Sequence, residues 1–134
     1  MNKSLFFAGL LLAFSAPTIA ATDHFILRDG NHVQHLKISR VNDDINVSAD
    51  VDFEPNASET GKHACSAEVS GEAKQTSATE LVMKKRIEGE ARSCSIKIQL
   101  TNNGAILEQS DDCHYYAAGI CHFSSDGKEL LKIK

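Results

Sequence analysis

Four cysteines, six histidines and two tyrosines carry most of the chemistry this chain could perform, and half of them fall in one stretch, Asp111 to Phe123, "DDCHYYAAGICHF". Cys113 and Cys121 are separated by seven residues, and each is followed by a histidine, His114 and His122. Three chemistries compete for such a pattern. A redox pair wants Cys-x-x-Cys at a helix start, and seven intervening residues in a β-rich context argue against it. A metal clip would use thiolates and imidazoles, but cysteines paired as disulfides are no longer thiolate ligands. Histidines remain available: His24, His32 and His35 in an N-terminal hairpin could converge with His114 and His122 to hold copper or zinc. The third possibility is a tied loop that displays Tyr115 and Tyr116; in an extended segment adjacent tyrosines face opposite ways, so one in and one out is expected. Tyrosine offers large amphipathic contact area with few rotors and is enriched at interface centres.

Catalytic chemistry finds little support. No serine sits in a nucleophile elbow and no metal-hydrolase motif occurs. The paired carboxylates Asp43-Asp44 and Asp111-Asp112 are neighbours in sequence and read as solvated turn residues. The expectation is a protein that is not an enzyme and carries no cofactor.

The chain's first residues, "MNKSLFFAGLLLAFSAPTIAA", combine a positive start at Lys3, an apolar run from Leu5 to Phe14 and small residues at Thr18 and Ala20. This is the pattern of a secretory signal peptide over residues 1–20. The apolar run is too short for a permanent membrane helix. Cleavage leaves residues 21–134 as a single domain in the periplasm or outside the cell. All four cysteines, Cys65, Cys94, Cys113 and Cys121, lie in the exported part, so two disulfides are expected. Sequence admits three pairings; Cys65–Cys94 with Cys113–Cys121 is the favoured one. Of the formal charge of −4, cleavage removes only Lys3, leaving 13 basic against 18 acidic side chains and a charge of −5. A mildly acidic protein is a poor candidate for nucleic acid or anionic membrane, so neither is expected as a partner, and it is better suited to a basic protein.

The elements that must position these residues are strands. "INVSADVDF" sends Ile45, Val47, Ala49, Val51 and Phe53 to one face and Asn46, Ser48, Asp50 and Asp52 to the other. Cys65, Ala67, Val69, Gly71 and Ala73 alternate likewise, with small residues that suit a closely approached strand. Cys94, Ile96, Ile98 and Leu100 do the same. "TELVMKKR" favours strand over helix, with Leu81 and Met83 inward. Leu36 and Ile38 mark an outer strand near the start, with a short strand from Phe25 to Leu27 before it. Asn103-Gly104 and Asp126-Gly127 read as hairpin turns, the second linking "CHFSS" to a last strand whose Lys128, Lys132 and Lys134 suit an exposed edge. Residues 54–63 read as a loop. The fold class is all-β: an antiparallel meander of seven or eight strands curled into a small barrel or sandwich with two disulfides.

Taken together, "CSAEVSGEA", "CSIKIQL", "AILEQ", "CHYYAAGICHF" and "DGKELLK", in that order over residues 64 to 131, resemble a largely uncharacterised group of small exported proteobacterial β-barrel proteins with a tyrosine-bearing Cys…Cys loop. That group is distantly similar to the disulfide-bonded barrel inhibitors of lysozyme found in bacterial envelopes. The inhibitory Ser-Gly-x-x-Tyr signature of those inhibitors is absent, since "VSGEA" keeps only Ser-Gly. The resemblance implies a periplasmic protein that blocks a cell-wall hydrolase, either a lysozyme or a peptidoglycan-degrading toxin. The partner-binding candidates are His114, Tyr115, Tyr116 and Gly119, with Asp111 and Asp112 as steering charges. A metal or small-ligand carrier and a structural envelope protein are the other readings.

Overall fold

Eight antiparallel strands close into one barrel in sequence order in the computed structural model, which describes residues 20–56, 61, 63–117 and 119–133. They are β1 (Ala20–Asp29), β2 (His32–Val41), β3 (Asp44–Phe53), β4 (Cys65–Ser77), β5 (Glu80–Arg86), β6 (Ser93–Leu100), β7 (Gly104–Gln109) and β8 (Leu130–Ile133). The expected signal peptide lies outside the described residues except for Ala20, which pairs with Val41. Among the described residues no helix is long and apolar enough to cross a membrane.

The alternating pattern explains the walls. Side chains of successive residues point to opposite faces of a strand, and the inward set is the one expected: Val47, Ala49, Val51 and Phe53 on β3, Val69 and Ala73 on β4, Leu81 and Met83 on β5, and Cys94, Ile96 and Ile98 on β6 are all buried. Leu36 and Ile38 join them from β2, and Leu107, Phe123 and Leu130 complete the core. An eight-stranded barrel has an interior just wide enough for side chains to fill. Each fully buried aliphatic chain contributes about 1.5–3 kcal/mol of hydrophobic stabilisation before entropy is charged against it.

Several sequence expectations are corrected by the closure. β2 is not an outer strand, because it pairs along its full length with both β1 and β3. β1 runs for ten residues rather than three. The last strand is not an exposed edge: β8 inserts between β1 and β7 and makes the closing ladder. Its neighbouring lysines form ion pairs instead, Lys132 with Asp23 and Lys128 with Asp29, each at 3.1 Å. Lys134 lies outside the described residues.

The two glycine turns also work differently from expectation. Asp126 and Gly127 both take positive φ, 53° and 78°, as a tight two-residue turn requires. The segment before them is irregular, however, so the turn feeds β8 without making a hairpin. After β6, the reversal uses Asn102 and Asn103, with Leu100 facing Ala105. Gly104 follows the turn, and its φ is not positive. It is glycine because β8 crosses there: an added Cβ would lie 1.8 Å from the Leu130 carbonyl oxygen. Gly71 answers to the same constraint more mildly, with a Cβ position 3.0 Å from the Lys84 carbonyl oxygen. The expectation of a closely approached β4 is met at that point.

The disulfides are Cys65–Cys121 and Cys94–Cys113, not the favoured pairing. The physical reason is the barrel wall. Cys65 opens β4 opposite Phe53 of β3, while Cys94 sits on β6, with β5 between their strands. Each therefore bonds to the segment that folds over its own part of the wall.

Three outcomes test this architecture. Gly104→Ala should cost about 3 kcal/mol or more in urea unfolding, the upper range for overpacking, because backbone of β8 must retreat. Non-reducing peptide mapping should recover Cys65–Cys121 and Cys94–Cys113. Double alanine replacement of the pair separated by 56 residues should cost about 4 kcal/mol, and of the pair separated by 19 about 3 kcal/mol, on the chain-entropy relation.

Candidate functional site

The chain between β7 and β8 folds across one end of the barrel. It begins by clasping β6: Ser110 N–H donates to the Ser95 carbonyl and Ser95 N–H donates to Ser110 Oγ, both at 2.9 Å. Asp111–Tyr115 then form a 3-10 helix, in place of an extended loop. Tyr116 N–H and Ala117 N–H both donate to the Cys113 carbonyl and close its last turn. A second short 3-10 helix, Gly119–Cys121, follows. Cys113 is tied to β6 and Cys121 to the start of β4, so the segment is pinned at both ends to the walls.

From Phe123 the chain lies against β7 and is held there by side chains. Ser125 N–H donates to the Leu107 carbonyl, Leu107 N–H to Ser125 Oγ, and Gln109 N–H to Ser124 Oγ, each at 2.9 Å. Phe123 N–H donates to Gln109 Oε1 at 2.6 Å. On the other side stands Gln34 of β2, only 3% exposed. Its Nε2 lies 3.0 Å from the Ser124 carbonyl oxygen and 3.3 Å from those of His122 and Phe123. Buried carbonyls without donors are costly, so Gln34 stands in for a missing strand at this point. Sequence reasoning missed it, although the signal was present: a polar residue shares the inward register of Leu36 and Ile38.

The predicted partner-binding residues separate into displayed and committed groups. Tyr115 is 60% exposed. Tyr116 is half-buried against the core, and its hydroxyl donates to the Arg86 carbonyl at 3.3 Å. One tyrosine in and one out was the expectation, though a 3-10 turn produces it. The two rings meet edge to face with centroids 5.1 Å apart, a favoured arrangement worth about 0.5–1.5 kcal/mol. His114 and Gly119 are exposed, with Gly119 at φ 64°. Ala118 is outside the described residues. Asp111 is exposed, but Asp112 pairs with Arg92 at 3.4 Å across to the β5–β6 turn. The tyrosines face an open groove of about 630 Å³ whose other wall is Lys85 to Gly89. Those residues, and Ile120, which is 42% exposed, carried no motif that sequence could show.

The histidines converge only in pairs. His32 donates through Nε2 to the Ile120 carbonyl at 2.8 Å, which ties the β1–β2 turn to the segment. His122 donates through Nε2 to Asp126 at 2.9 Å, and its ring stands 6.5 Å from that of His32. His24 and His35 meet on the outer wall, Nε2 to Nδ1 at 3.1 Å. The expected meeting of hairpin and segment histidines thus reduces to His32 beside His122. Among the described residues no group of three or more histidine, cysteine or acidic side chains is arranged to hold a metal. Both cysteines of "CH…CH" are disulfide-bonded.

Comparison with known proteins finds no matching family model, curated protein or solved structure.

Gln34→Met keeps the volume and removes the donor. It should lower unfolding stability by about 2 kcal/mol, the scale for stranding buried polar groups, as read from the urea midpoint at constant slope.

Proposed function

We propose that this is an exported, periplasmic binding protein that blocks a cell-wall hydrolase, a lysozyme or a peptidoglycan-degrading toxin, through the barrel end that carries Asp111 to Cys121. The observation that carries the reading is Tyr115: a large aromatic side chain, 60% exposed, on a short helix within a segment pinned by disulfides at Cys113 and Cys121. An exposed aromatic normally gains little for the protein that displays it. Held rigid, it enters a partner's cleft with little further loss of conformational freedom. Ile120 adds apolar area on the same segment, and the groove between Tyr116 and the β5–β6 turn can receive a side chain in return.

Charge supports a basic partner. The net charge, −4 for the full chain and −5 without Lys3, raises the rate of encounter with a cationic cleft more than it deepens affinity. Asp111 serves that role better than Asp112, which is engaged with Arg92. The function is binding rather than catalysis.

The test is capture on immobilised protein, first of lysozymes of the main types and then of toxins from neighbouring strains, followed by inhibition assays. Tyr115→Ala should weaken inhibition about thirtyfold or more, the hot-spot scale, and lower the thermal midpoint by only a few degrees, the scale set by losing the edge-to-face contact with Tyr116. Equal inhibition by Tyr115→Ala and wild type would remove the segment from the interface. An intact, disulfide-bonded protein that captures no hydrolase would remove the function itself.

A further inference from the structure

His24 on β1 and His35 on β2 both point away from the core, since their neighbours Phe25 and Leu36 point into it and face each other across the ladder. In register His24 faces Lys37 and Ile26 faces His35, so the two imidazoles form a diagonal pair across adjacent strands. Their rings lie 5.3 Å apart and tilt by 32°. The close atoms are both ring nitrogens, His24 Nε2 and His35 Nδ1, at 3.1 Å. Nothing in the inhibitor reading uses this pair, which sits on the barrel wall.

We propose that His24 and His35 form a two-nitrogen chelate for a divalent transition metal, with Cu(II) held more tightly than Zn(II). Metal–imidazole bonds are about 2.05 Å long, so an ion bound to both nitrogens at their present separation subtends about 98°. That angle falls between the right angle of a square-planar site and the tetrahedral angle, and both are geometries these ions accept. The strands hold the donors together, so little ordering is required. In the metal-free pair one ring donates its N–H to the other ring's lone pair. Binding needs both lone pairs, so the donor ring carries its proton on its other nitrogen and no proton leaves the pair. The order Cu(II) over Zn(II) follows from nitrogen ligation.

The surroundings suit a cation. Asp50 on β3 faces His35 across the ladder, and Glu68 on β4 faces Asp50. Lys37 is the opposing charge beside His24. The remaining coordination positions are open to water or to a donor from another molecule.

Titration of the purified protein with CuCl2 and with ZnCl2 at pH 7.5, followed by calorimetry and, for copper, by electron paramagnetic resonance, tests the site. The expected result is one Cu(II) per chain with two coordinated nitrogens and weaker Zn(II). His24→Ala and His35→Ala should each weaken Cu(II) at least about tenfold, the scale on which even outer-shell partners of a metal count, while His114→Ala leaves it unchanged. His35→Gln provides a second variant that keeps a polar group on the wall, and circular dichroism confirms that each variant is folded. Absence of copper binding overturns the proposal. So does binding that depends on His24 but survives loss of His35, because that pattern belongs to a backbone chelate near the chain start. Hydrolase inhibition by the His24 and His35 variants should match wild type, which separates this site from the inhibitory end.

Discussion

The barrel closes because the four residues of β8 fit between β1 and the first two residues of β7, and they fit because residue 104 has no side chain. A sheet that fails to close leaves two edges, each a row of unpaired donors and acceptors open to other chains. Here the closing contact is short: two register pairs on one side and three on the other. It is therefore the place where the least backbone pairing does the most, and a single methyl group at Gly104 would block it.

So short a last strand leaves the second half of β7 without a strand partner on the side away from β6. The chain solves this with side chains. Ser124, Ser125 and Gln109 complete the ladder toward β7, and Gln34 reaches the same segment from β2. The two disulfides finish the arrangement by tying Cys113 to β6 and Cys121 to β4. The segment that closes the barrel end is thus the segment that displays Tyr115. Stability and display depend on the same few bonds, which is why an exposed aromatic can stand on irregular backbone without losing its orientation.

The two proposed activities occupy different parts of this frame and ask different things of it. The barrel end offers a rigid aromatic, an adjoining groove and a mixed rim of charge, features suited to a protein surface. The His24–His35 pair sits on regular ladder, where neighbouring strands hold two nitrogens at a fixed separation. The acidic row of Asp50 and Glu68 beside it contributes charge but no third ligand in place.

Much of the wall was legible before any coordinates. Alternation in β3, β4, β5 and β6 placed Val51, Val69, Met83 and Ile98 in the core because a strand has only two faces, and local pattern chooses between them. The expectation of two disulfides likewise rested on local signals, as did the reading of Tyr115 and Tyr116 as a pair split between inside and outside. What tertiary structure alone decided was everything that depends on which strands become neighbours after closure. The cysteine pairing followed from where β4 and β6 stand around the barrel, not from spacing along the chain. β8 became a closing strand instead of an edge, Gly104 a crossing point instead of a turn, and Gln34 a surrogate ladder. His24 met His35 for the same reason: contact across a barrel is set by register and closure, and neither is written in the periodicity of a single strand.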